Sequence, residues 1–72
     1  MRDTRGERLR YLARERPFGM KVRDPQTNEC GIIVAHGSGE PGDPGPCVKV
    51  RFADGTDEWF VADAVESIRE GE

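Results

Sequence analysis

Residues 47–61 read CVKVRFADGTDEWFV, and the way this stretch turns back on itself decides the fold. Cys47 to Phe52 alternates apolar with polar, the period of a strand that puts Val48, Val50 and Phe52 on one face. Asp54-Gly55 is the strongest short hairpin signal a sequence carries, and Thr56 to Val61 returns as the partner strand. A two-residue loop pairs Ala53 with Thr56, Phe52 with Asp57, Val50 with Trp59 and Val48 with Val61. Directly opposed residues share a face. This reading therefore buries Trp59 and Val61 with Val48 and Val50 and turns Phe60 outward beside Lys49. A three-residue loop would reverse the parity and bury Phe60 instead. In either case one large aromatic stays on the outer face, where the N-terminal helix is expected to cover it, the alternative being a contact surface.

Upstream of the hairpin the pattern holds two more strands. Gly19 to Arg23 is a short first strand, and Gly31 to His36, the most apolar run, is a buried second one. Between them Asp24-Pro25-Gln26-Thr27-Asn28 is turn chemistry: proline presets φ, and the Asp and Asn side chains bond back to the chain. Residues 37–47, GSGEPGDPGPC, show the collagen triplet from Gly39 on, but three triplets are too few for a triple helix. Its prolines cannot donate to a ladder, so the stretch reads as the open, most mobile loop between strands two and three. Downstream, Ala62 to Val65 reads as one 3₁₀ turn and Glu66 to Ile68 as a last short strand.

The N-terminus has the other period. Thr4 and Glu7 fit a capping box, Leu9, Leu12 and Ala13 fall at helical spacing, and Pro17 stops the run. The helix spans about residues 5 to 15, with a stripe narrow enough that it must pack Leu9, Leu12 and Tyr11 on the body or fray.

Composition bounds the rest. Seventy-two residues make one domain with a thin core, 35% apolar and 35% charged. The longest apolar run, Ile32 to Ala35, is far short of a membrane span, and no apolar segment follows the N-terminal charges. The expectation is a soluble, cytoplasmic protein without a membrane partner. Arginine outnumbers lysine nine to two, a bias that suggests a GC-rich bacterial or phage genome. The net charge of −3 is segregated: residues 1–16 hold six arginines against three acidic side chains, and residues 17–72 hold five basic against eleven acidic. That makes an arm of +3 on a body of −6.

Together the elements resemble SH3-like barrels of the Tudor type. The likeness is carried by Val22, Gly31-Ile32-Ile33-Val34, Val48-Lys49-Val50-Arg51-Phe52, Asp54-Gly55, Val61 and Asp63-Ala64-Val65, covering about residues 18–68. The resemblance implies a mainly β, five-stranded barrel with an N-terminal α-helix: arm 1–17, barrel 18–68, polar tail 69–72. It also implies a docking module for protein or nucleic acid, with no catalytic signature. A methyl-cation cage needs three or four aromatics near the barrel mouth, and the loops at 24–29 and 36–46 have none.

Sites with chemistry are few. Cys30, His36 and Cys47 are the residue types zinc takes, but no C-x₂-C pair is present and a fourth ligand is missing. On antiparallel neighbours Cys30 and Cys47 lie near opposite ends, about 15 Å apart, too far for a disulfide. His36 beside Cys47 lacks an orienting third group for nucleophilic work. No enzyme activity, cofactor, metal or small-molecule substrate is expected. The leading expectation is a protein-binding module using Phe60 (or Trp59 if the parity flips), Lys49, Arg51 and Glu58 on one outward strand face. The runner-up is a nucleic-acid-associated module using Arg2, Arg5, Arg8, Arg10, Arg14 and Arg16, as barrels of the KOW type bind RNA. A homodimer through the outer aromatic is a third possibility.

Overall fold

The structure is a computed structural model that describes residues 4–37 and 45–68, with side chains from residue 6 onward. One helix, α1 (Thr4–Glu15), precedes five strands: β1 (Lys21–Arg23), β2 (Cys30–Gly37), β3 (Cys47–Phe52), β4 (Asp57–Val61) and β5 (Glu66–Ser67). A 3₁₀ turn at Ala62–Ala64 links β4 to β5. The strands form one antiparallel sheet in the order β4-β3-β2-β1-β5, an open sheet with β4 and β5 as its edges. The mainly β class and the helix are as the sequence leads one to expect. Residues 38–44 of the Gly/Pro loop, the 69–72 tail and Arg2 lie outside the described residues, as does the Thr4 side chain of the expected capping box.

The turn from β1 to β2 follows its sequence chemistry. The Gln26 amide donates to Asp24 Oδ1 at 3.0 Å, the Asn28 amide donates to the Asp24 carbonyl at 2.7 Å, and Asn28 takes a φ of 66°. Asn tolerates that left-handed conformation better than most residues.

The hairpin corrects the expected register. The Phe52 amide donates to the Thr56 carbonyl and the Gly55 amide to the Phe52 carbonyl, both at 2.9 Å, so the loop has three residues, Ala53-Asp54-Gly55. Gly55 sits at φ +89°, the left-handed position that a three-residue hairpin loop requires. Asp54 holds the turn by accepting from the Thr56 amide at 3.0 Å and from its hydroxyl at 2.6 Å. The pairs are Val48–Phe60, Lys49–Trp59, Val50–Glu58 and Arg51–Asp57. One added loop residue exchanges the faces of β4. Phe60 therefore packs against the core, edge to face with Phe52 at a centroid distance of 6.1 Å, and Trp59 stays outside, 51% exposed.

The core is Leu12, Val22, Ile33, Val48, Val50, Ala62 and Val65. A bulge at Val34, between Ile33–Val50 and Ala35–Lys49, keeps Ile33 inward while Ala35 and Gly37 face out. The helix closes the inner side. Leu12 is fully buried, the Tyr11 hydroxyl donates to Asp63 Oδ1 at 3.2 Å, and Arg16 Nε donates to the Ala62 carbonyl at 3.2 Å. His36 Nε2–H donates to the Arg16 carbonyl at 2.6 Å, and its ring stacks on Phe18 at 4.4 Å. Leu9 stays 39% exposed, so the docking stripe is narrower than expected. The helix thus covers the inner face and leaves the outer aromatic half-exposed, against the expectation that it would lie over that aromatic.

Candidate functional site

The outer sheet face is set by strand alternation. Val22, Val48 and Val50 are buried, so their neighbours Lys21, Arg23, Lys49 and Arg51 project to the other side. Cross-strand pairing adds Ile32 opposite both Lys21 and Arg51, and Trp59 opposite Lys49. Lys49 Nζ lies 5.5 Å from the centroid of the Trp59 ring, a cation–π distance. The indole reaches across β3 to β2: a Cβ on Gly37 would stand 3.2 Å from Trp59 Cζ3. Beside it the face dips into an open depression of about 500 Å³ walled by Lys21, Ile32, Arg51 and Ile68.

Of the residues expected at this site, Lys49 and Arg51 are on the outer face with Trp59. Phe60 and Glu58 are not: they oppose Val48 and Val50 and follow the core-facing parity, Phe60 half-buried and Glu58 exposed at the edge strand. The signal that distinguishes the two readings is Asp54-Gly55-Thr56. An Asp that can bond both donors of the Thr two residues on favours closing the loop at Phe52–Thr56.

Charge on this face is unlike that of the chain. Among the described residues from 17 to 68, all four Lys and Arg side chains project here: Lys21, Arg23, Lys49 and Arg51. Only two acidic side chains share the face, and each is bound by an arginine of it. Arg51 forms a fork with Asp57, Nε to Oδ1 at 2.8 Å and Nη2 to Oδ2 at 3.0 Å, and Arg23 pairs with Glu66. The guanidinium bond holds the Asp57 carboxyl below its ordinary range and raises Arg51 in return. Asp54 is also lowered, by its bonds from Thr56. The described residues thus put four cations and two carboxylates on one face of a chain of net −3.

The arginines of the arm are spread. The Arg5 side chain lies outside the described residues. Arg14 pairs with Glu15 at 3.0 Å, and Arg16 is spent on the carbonyls of Ala62 and Glu15. Arg10 is exposed and Arg8 half-buried. The cysteines are free and lie apart, Cys30 at the start of β2 opposite Arg23 and Cys47 at the start of β3 opposite Gly37, the far end of β2. His36 opposes Val48 on the inner face while Cys47 alternates outward, so strand parity separates the two. Among the described residues no three His, Cys, Asp or Glu side chains gather as metal ligands would, and no helix is long and apolar enough to cross a membrane.

Compared with protein-family models, curated protein sequences and solved structures, the chain matches none.

Proposed function

We propose that this chain is a small, non-enzymatic docking module of SH3-like type that holds a protein partner on its outer sheet face around Trp59. The observation that carries the reading is a single large aromatic, 51% exposed, mounted on a hydrogen-bonded sheet instead of a loop and flanked by a cation at 5.5 Å. Tryptophan so placed offers large contact area at small entropic cost, the profile of a binding hot spot. The SH3-like assignment is supported by the meander of four strands, the 3₁₀ turn and a last strand that returns beside the first. Glu58 and Phe60 leave the contact set, and Trp59 enters it with Lys49 and Arg51.

Trp59→Ala tests the reading. The side chain is outside the core, so stability is expected to change by no more than about 1 kcal/mol, with the lost cation–π contact as the main term. Retention of the native partner from host extract is expected to fall by at least about tenfold, as for truncation of a hot spot. Full retention by the alanine variant would end this proposal. The arginine arm supports a nucleic-acid reading less well, because Arg14 and Arg16 are engaged within the fold.

A further inference from the structure

We infer that the free edge of β4 pairs with the β4 edge of a second copy of this chain, antiparallel and centred on Trp59, so that two open sheets join into one. The inference does not rest on the docking reading above: it uses the backbone of β4, not the indole.

The ladder fixes which backbone groups are free. In an antiparallel pair, opposed residues that exchange both hydrogen bonds alternate with opposed residues that exchange none. The Phe52 amide donates to the Thr56 carbonyl, and the Ala62 amide donates to the Pro46 carbonyl, both at 2.9 Å. Those two bonds bracket β4 and set its alternation. Glu58 and Phe60 direct their amides and carbonyls to Val50 and Val48. Asp57, Trp59 and Val61 direct theirs the other way, where among the described residues the sheet has no further strand. The approach is open, because the Trp59 indole reaches back across β3 to Gly37, away from the edge.

Exposed edges usually carry a guard: a proline, a lysine, a bulge or extreme shortness. β5, with two residues, is guarded by its shortness. β4 has five residues, an unbroken register, and no proline or lysine. Its sequence also selects the occupant. The carboxylates Asp57 and Glu58 stand at one end, and Phe60 and Val61 at the other. A parallel second copy in register would set carboxylate against carboxylate, which destabilises a sheet. An antiparallel copy related by a two-fold axis at Trp59 sets Asp57 against Val61 and Glu58 against Phe60 of the partner subunit, with no like charges opposed. In that register every edge-facing amide and carbonyl of Asp57, Trp59 and Val61 meets its counterpart. Asp57 enters the pair with its charge already met by Arg51. The contact is isologous and uses one edge from each copy, so it closes at two. It also brings Trp59 and Lys49 of both copies to the same side of the joined sheet, since opposed residues share a face.

Val61→Pro tests the pairing. Val61 has a φ of −62° and a ψ of 139°, angles that proline adopts, and its amide is not used by β3. The variant therefore loses an edge donor while the ladder to β3 stays whole, and Val61→Ala keeps the donor. Sedimentation of the full chain from about 10 µM to about 1 mM is expected to show a monomer–dimer equilibrium, the range for an interface this small. Val61→Pro is expected to weaken it about tenfold or more, because the two-fold axis repeats each lost bond, and Val61→Ala by about threefold or less. Circular dichroism checks the fold of both. Amide hydrogen exchange on the unaltered chain needs no variant. Protection of Asp57, Trp59 and Val61 is expected to rise with protein concentration, while Glu58 and Phe60 stay protected throughout. A chain that remains monomeric at about 1 mM overturns the inference. So does a dimer that Val61→Pro leaves intact, or one that gives the three edge amides no added protection. A dimer lost with Trp59→Ala but kept by Val61→Pro overturns it as well and assigns the contact to the indole face. The docking proposal stands or falls separately, on partner retention by Trp59→Ala.

Discussion

The residue that matters most is Trp59, and its place depends on one residue of loop length. Asp54 binds both donors of Thr56 and Gly55 supplies the left-handed corner, so the hairpin closes at Phe52–Thr56 and every side chain of β4 changes face. The sequence carried the Asp-Gly signal, but that pair serves both two- and three-residue loops, and parity is lost with a slip of one. The same hairpin has a pH dependence. Asp54 and Asp57 are both lowered from 3.8, by bonds from Thr56 and from Arg51. A carboxyl whose folded value is depressed contributes stability above its unfolded value, and that stability is lost as pH falls through the folded one. Denaturant midpoints are therefore expected to hold above about pH 5 and to fall below about pH 4, and Asp57→Asn is expected to flatten that fall. An identical acid profile for the variant would show that the Arg51 pair contributes nothing.

At the scale of the element, α1 illustrates how a marginal helix is made stable. Its stripe is narrow, and one side chain, Leu12, is fully buried in the sheet's inner side. Polar ties fix the rest: Tyr11 to Asp63, Arg16 to Ala62, and His36 to the Arg16 carbonyl. Burial, followed by the negative charge of Asp63, raises the Tyr11 phenol above its ordinary value. Leu12→Ala is expected to cost about 2–5 kcal/mol, the range for emptying a buried leucine site. Equilibrium urea unfolding followed by far-ultraviolet dichroism measures it, and a loss under about 1 kcal/mol would mean that the helix contributes little to the core. The helix itself was legible from Leu9, Leu12 and Pro17, but which side of the sheet it would cover was not. That depended on where the open core lay, and hence on the register of β4.

At the scale of the whole molecule, the decisive property is the distribution of charge. The net value of −3 and the basic arm were plain in the sequence. In the fold the arm's charge is partly engaged by Glu15 and by backbone carbonyls, and the described lysines and arginines of the body gather on one sheet face. The chain is accordingly expected to pass through a heparin column unretained at about 50 mM salt, where counterion-driven binding is strongest. Retention that falls steeply with added salt would restore the nucleic-acid reading of the arm. What the sequence determined by itself was local: periods of 3.6 and 2, turn residues and breakers, which placed α1, the five strands and the 3₁₀ turn within a residue or two. What only the tertiary structure decided was which side each element presents. Strand parity depends on a bulge at Val34 and a loop of three residues, and together they turn Phe60 toward the core that holds Leu12. Facing is a cooperative property of the packed molecule, so Trp59, Lys49, Arg51 and Lys21 became one surface only when the sheet assembled.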